Sequence, residues 1–220
     1  MKILVRSIWL CSLVLTFLLP VAHGDTAKDD SAKILILGDS LSSAFGIPED
    51  RGWVALLQQR LDENHYKFTT LNASITGETT SGGANRIADL LERHSPTIVI
   101  AELGGNDGLR GLSLKAMRGN LESIVTQSQS AGARVLLLGM RIPENYGGVY
   151  TRRFHATFHE LAEQYGTALV SFFLADVALD PTLMQDDGIH PNSAAQPLML
   201  NRVWPQLKPL LDTVIARDAQ

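Results

Sequence analysis

With 220 residues, 45% of them hydrophobic and 19% charged, the chain suits one globular domain able to bury a full core, and a second domain is not expected. Its formal charge of −4, from 19 basic and 23 acidic side chains with no cluster of Lys and Arg, argues against a nucleic-acid partner. Cys11 is its single cysteine and lies near the N-terminus, so a disulfide framework, a cysteine nucleophile and a thiolate metal site are excluded.

At the N-terminus, Lys2 and Arg6 precede an uncharged apolar run from Ile8 to Leu19. Ala22 and Gly24 are the small residues a signal peptidase would inspect for a cut before Asp25. This predicts a signal peptide over residues 1–24, removed on secretion, and a single domain over residues 25–220. A retained membrane anchor is the alternative reading. It would need about twenty apolar residues, and Pro20 follows a shorter run, so no stable membrane span is expected. Removal of the leader takes Lys2, Arg6 and Cys11, leaving 17 basic against 23 acidic side chains, a net charge of −6, and no thiol. Residues 25–32 are polar and read as a short flexible lead-in.

The first predicted strand, Lys33 to Leu37, runs directly into Gly38-Asp39-Ser40-Leu41-Ser42. A helical stripe of Trp53, Val54, Leu56, Leu57 and Leu61 follows within residues 51–64, then a strand from Tyr66 to Leu71 and the segment Asn72 to Thr79. The third strand, Thr97 to Leu103, leads into Gly104-Gly105-Asn106-Asp107 and a glycine-rich loop, Gly108 to Ser113. Leu114, Met117, Leu121, Ile124 and Val125 form the next helical stripe, with Gly132 as its stop. A strand from Arg134 to Met140, a loop from Ile142 to Tyr150, a helix over about Val149 to Tyr165 and a strand from Ala168 to Phe172 complete the alternation. The last helix spans about Ser193 to Ala216, interrupted or kinked by Pro197, Pro205 and Pro209. Strand–helix alternation of this kind predicts an α/β, three-layer flavodoxin-like fold, a central parallel five-stranded sheet with helices on both faces. Ligands of such sheets bind outside the carboxyl ends of the strands.

Ser40, Gly77 and Asn106 each follow such a strand end. A serine delivered by a buried strand into a glycine-assisted turn is placed to act as a nucleophile, although a serine there also caps the following segment in many proteins. Its hydroxyl needs a base, and the base needs an orienting carboxylate. Asp186-Asp187-Gly188-Ile189-His190-Pro191-Asn192 supplies both: three residues apart on a turn, Asp187 can reach Nδ1 of His190 while Nε2 faces Ser40. Of the other histidines only His65 also has an aspartate, Asp62, three residues before it, with no glycine turn between them. His65, His94, His155 and His159 read as helix or helix-edge residues with exposed or core roles. Gly77 N–H and the Asn106 side-chain amide are candidate oxyanion donors, the plainer reading being that each serves only a positive φ in a loop.

These four blocks, in this order, resemble the SGNH, or GDSL-type, hydrolase family across essentially the whole mature chain. Gly105-Asn106-Asp107-Gly108-Leu109-Arg110-Gly111 and Pro143-Glu144-Asn145-Tyr146-Gly147 resemble its bacterial periplasmic esterase, thioesterase and lysophospholipase subgroup. The resemblance implies a periplasmic serine acyl hydrolase with Ser40, Asp187 and His190 as triad, and Ser40 N–H, Gly77 N–H and the Asn106 amide as oxyanion hole. It also implies a small acyl ester or thioester as the partner, contact with lipid substrates, and no metal or organic cofactor. A monomer is expected. The Gly-x-Ser-x-Gly elbow of lipases is absent, since residue 42 is serine.

Leu109 and Leu112 in one loop and Tyr146, Val149 and Tyr150 in the next are candidates to wall an acyl groove, with Leu109 and Tyr146 as substrate contacts, unless they pack beneath their loops. Arg110 and Arg141 either meet an anionic head group or pair with neighbouring acids. A carbohydrate acetylesterase on the same scaffold, with a small acyl pocket and a polar rim, and a non-catalytic periplasmic binding module are the competing functions.

Overall fold

Ile34, Leu35, Ile36 and Leu37 are uniformly apolar rather than alternating, the pattern of a parallel strand covered on both faces, and all four are fully buried. In the computed structural model, which describes residues 31–218, they form the centre of β1 (Ala32–Gly38). β2 (Phe68–Asn72), β3 (Ile98–Glu102), β4 (Arg134–Leu138) and β5 (Ala168–Val170) complete a five-stranded sheet of order β2-β1-β3-β4-β5. Every pairing is parallel, with Ile34 opposite both Thr70 and Ile98. This is the flavodoxin-like order, and its direction reverses between β1 and β3, so a crevice opens at their carboxyl ends. The five predicted strands are all present; the structure shifts their limits by at most two residues, at β2, which begins at Phe68, at β4, which ends at Leu138, and at β5, which ends at Val170. The predicted leader lies outside the described residues, and among those no helix is long and apolar enough to cross a membrane.

α1 (Trp53–Glu63) packs on α6 (Gln196–Asp218) over one face of the sheet, and α2 (Thr80–His94), α4 (Leu114–Ser130) and α5 (Gly148–Tyr165) stack in that order over the other. A short helix, α3 (Gly105–Leu109), follows β3. α1 starts two residues later than its stripe suggests, because residues 49–51 turn as a 3-10 helix. Its first N–H, on Trp53, is satisfied by Oε1 of Gln196 at 3.0 Å, which fastens α1 to the start of α6. Ser113 caps α4 by accepting from Ala116 N, and Gly166 ends α5 in the left-handed region.

α6 departs from the expected interruption. It runs unbroken from Gln196 with Pro205 and Pro209 inside it and Pro197 in its first turn, where a missing N–H costs nothing. Met199, Leu200, Val203, Leu207, Leu211 and Val214 are buried along it. At about 1.5–3 kcal/mol for each large apolar side chain, that burial outweighs two lost backbone bonds.

Candidate active site

The turn after β1 carries Ser40, only 9% exposed, with its Oγ 2.9 Å from Nε2 of His190. Nδ1 of the same ring lies 2.6 Å from Oδ2 of Asp187. Backbone order on this turn explains the geometry. Gly188 adopts φ +66° and donates to the Gln185 carbonyl, while Met184 and Pro191 pair as an antiparallel bridge that closes the loop. Oδ1 of Asp187 accepts from the N–H groups of both Ile189 and His190, at 2.9 Å each. The His190 N–H, then its ring, then the Ile189 N–H hold the Asp187 carboxyl down at about 2. An ionised carboxylate can only accept, so it fixes the proton of a neutral His190 on Nδ1 and leaves Nε2 to accept from Ser40 Oγ–H. The Phe45 ring lies 4.6 Å from the imidazole, tilted, with its own carbonyl held by Gln185 Nε2 at 2.8 Å.

Gly77, at φ +78°, sits in the loop joining β2 to α2, and Asn106 lies in α3, entered through Gly104 at φ +113°. Among the described residues neither Ser40 N–H nor Gly77 N–H donates a hydrogen bond. Asn106 differs. Its Nδ2 donates to Asp39 Oδ2 at 2.9 Å and to the Glu78 carbonyl at 3.1 Å, so both amide hydrogens are engaged. Donation to an oxyanion requires it to exchange the Glu78 carbonyl for the substrate oxygen.

The loop around Gly77 is itself braced. Arg86 from α2 grips the Glu78 carboxylate with Nε and Nη2, and Arg110 donates to the Gly77 carbonyl at 3.0 Å. Asp107, buried beside Asn106, accepts from Thr80 N at 2.9 Å and from its Oγ1 at 2.6 Å, which ties α3 to the first turn of α2. The sequence reading missed these braces, and it missed Glu102, which lies beneath Ser40. A lone acid in an otherwise apolar strand, Ile98–Glu102, was the available signal for the last of these.

Leu109 and Tyr146, named as substrate contacts, touch each other: the Tyr146 hydroxyl donates to the Leu109 carbonyl at 2.9 Å, and both side chains stay about two-fifths exposed. Tyr150 does the same to Leu112 at 2.8 Å. Arg110 meets the Gly77 carbonyl and Asn106 Oδ1, and Arg141 lies against His155 and over the Phe172 ring at 5.4 Å, so neither pairs with an acid among the described residues. His155 and His159 bond the Met140 carbonyl and Ser171 Oγ. No group of three or more metal-ligating side chains occurs among the described residues.

The doubly wound parallel sheet brings serine, imidazole and carboxylate into hydrogen-bonded sequence at its switch point, an arrangement that a hydrolase can use. Residues 36–197 match the GDSL-like lipase/acylhydrolase family, and the chain belongs to it. It is 48% identical over 186 residues to esterase TesA of Pseudomonas aeruginosa, covering 84% of this chain and 92% of that one. It is 42% identical over 179 residues to thioesterase 1/protease 1/lysophospholipase L1 of Escherichia coli, covering 81% and 85%. Among solved structures it resembles the psychrotrophic esterase EstA from Pseudoalteromonas sp., inhibited by monoethylphosphonate. That match has TM-score 0.79 and 43% identity, covering 83% of this chain and 100% of that one.

Proposed function

We propose that the protein is a serine esterase of carboxylic esters and thioesters, including aryl and alkyl esters, acyl thioesters and lysophospholipids. The observation that carries this reading is the continuous path from Ser40 Oγ through His190 to Asp187, at 2.9 and 2.6 Å. Ser40 Oγ bonds to the carbonyl carbon as His190 Nε2 takes its proton, and the carbonyl electrons move onto oxygen. That oxyanion is held by the N–H groups of Ser40 and Gly77 and by the Asn106 amide. Collapse breaks the C–O or C–S bond, and His190 passes its proton to the leaving alcohol or thiol. Water, deprotonated by His190, then attacks the acyl-enzyme and releases the acid. None of these steps calls for a metal or organic cofactor.

Relatives named esterase and thioesterase/lysophospholipase support the substrate classes. Inhibition of EstA by a phosphonate, a reagent class that adds to activated hydroxyls, supports a serine nucleophile. Export through cleavage after residue 24 to the periplasm, as one monomeric domain over residues 25–220, completes the proposal. Exposed Leu109, Leu112, Tyr146 and Val149 favour longer acyl chains over acetyl.

A chain-length series of nitrophenyl esters, run beside acyl thioesters and lysophospholipids, tests it. At about 0.8 kcal/mol per buried methylene, kcat/KM should rise about fourfold per methylene until the groove is filled. Leu109→Ala should flatten that slope, and an acetyl optimum with the slope unchanged in Leu109→Ala would favour the acetylesterase instead. Asn106→Ala should lower kcat by about 10²–10³ with little change in KM, as loss of an oxyanion donor does. An unchanged kcat would remove Asn106 from that role.

A further inference from the structure

Glu102, the last residue of β3, is 0% exposed and is used by no step above. Its Oε2 accepts from the two ends of the turn that carries Ser40: from Asp39 N at 3.2 Å and from Ser42 Oγ at 2.7 Å. Ser42 Oγ in turn accepts from Trp53 Nε1 at 3.2 Å. Oε1 has no hydrogen-bond partner among the described residues. The space is built for this group. A Cβ on Gly38 would come within 2.8 Å of Glu102 Oε2 and of Ser42, which gives the glycine and the second serine of Gly38-Asp39-Ser40-Leu41-Ser42 a common reason.

Asp39, 2% exposed, is a second buried carboxyl beside Glu102, its own N–H held by Glu102 Oε2 at 3.2 Å. Two buried neighbouring carboxyls that contact no cation among the described residues do not both ionise, so one of the pair keeps its proton. The charge on Asp39 is spent on Leu41 N, 3.1 Å from Oδ1, and on Asn106 Nδ2, 2.9 Å from Oδ2.

We propose that Glu102 is a positioning residue of the acyl-transfer site: as a neutral carboxylic acid it accepts from Asp39 N–H and Ser42 Oγ–H and so anchors the Ser40 turn at both ends. Asp39, left as the anion, then orients the Asn106 amide. This rests on the esterase reading, in which Ser40 N–H and Asn106 serve the oxyanion.

Burial pushes Glu102 well above the carboxylate range, with the neighbouring Asp39 charge adding to it, and burial lifts Asp39 to about 6. The groups facing the pair are Ser42 from its own turn, Trp53 from α1, Asn106 from α3 and, electrostatically, His190. Because both acids bind protons more tightly folded than unfolded, their contribution is most favourable below pH about 4. It is lost as pH rises through about 6 for Asp39 and higher for Glu102.

The test compares Glu102→Gln and Glu102→Leu with the wild type by nitrophenyl ester kinetics, by thermal unfolding against pH, and by infrared difference spectra at pH 7. Glutamine is neutral and keeps an acceptor, its Oε1, for the Asp39 N–H and Ser42 Oγ–H. It should keep kcat within about threefold and flatten the decline of Tm above pH 6. Leucine leaves the Asp39 N–H and Ser42 without their acceptor, so kcat should fall about 10- to 100-fold with KM changed less than about threefold, the scale of a misplaced reacting group. The wild type minus Glu102→Gln spectrum should contain the C=O stretch of a neutral acid. Absence of that band, a Glu102→Gln variant as slow as Glu102→Leu, or a Glu102→Leu variant of undiminished kcat overturns the proposal. A wild type that turns over no ester refutes the esterase reading instead, and the infrared band still decides the protonation of Glu102.

Discussion

Ser40→Ala is expected to lower kcat for nitrophenyl esters by about 10⁵-fold or more while leaving the fold in place, since no neighbouring group can form the acyl-enzyme. The truncation removes one hydrogen bond, the 2.9 Å contact to His190 Nε2, whose loss costs roughly 1 kcal/mol. The Ser40 carbonyl keeps its bond from Phe45 N, and the turn keeps Glu102, Asp39 and Ser42. Some catalysis should persist under the proposed mechanism, in which the N–H groups of residue 40 and Gly77 hold a bound carbonyl and His190 activates water; about 10³-fold over the uncatalysed rate is typical of such remnants. The measurement is steady-state kinetics on protein pretreated with a phosphonate to silence wild-type contaminant, beside a thermal melt. A variant that is folded and within tenfold of wild type would displace Ser40 from the proposed mechanism.

How far the site could be read from the chain follows from where its information lies. β1, β3, β4 and β5 were visible as mainly apolar runs too short for a helix, whereas β2 mixes Thr69 and Thr70 with its apolar residues and is only half-buried. α2 was not assigned, because Gly82 and Gly83 stand in its first turn and weaken the helical pattern. Packing explains one of them: a Cβ on Gly83 would lie 2.3 Å from Leu103 Cδ1, so the close approach of α2 to the sheet requires glycine there. The prolines of α6 misled in the opposite sense, since burial along the helix outweighs a local propensity. Ser40, Asp187 and His190 could be named from spacing and chemistry, yet their distances depend on a crossover of 150 residues that only the folded sheet supplies. Glu102 and Asp107 act on partners 60 and 27 residues away, and the Tyr146 hydroxyl on a carbonyl 37 residues away. No local pattern encodes such contacts.

Asp187→Asn is the second large effect, a fall in kcat of about 10⁴-fold, and its origin is a proton on the wrong nitrogen. The asparagine Oδ1 can still accept from the N–H groups of Ile189 and His190, so the turn is kept. Its Nδ2, however, now faces the ring, where Oδ2 stood 2.6 Å from Nδ1, and an amide donor there forces the imidazole proton onto Nε2. Nε2 then donates toward Ser40 Oγ instead of accepting from it, and no base remains. Asp187→Ala should separate the two duties, losing the turn's acceptor as well as the tautomer and therefore lowering Tm where Asp187→Asn does not. The pH dependence adds a constraint. Held down at about 2, Asp187 makes its stabilising contribution above the ordinary aspartate value and loses it only as pH falls through about 2. Any acid limb in kcat/KM at higher pH therefore belongs to another group. Kinetics of Asp187→Asn that stay within tenfold of wild type would show that the carboxylate does not set the tautomer.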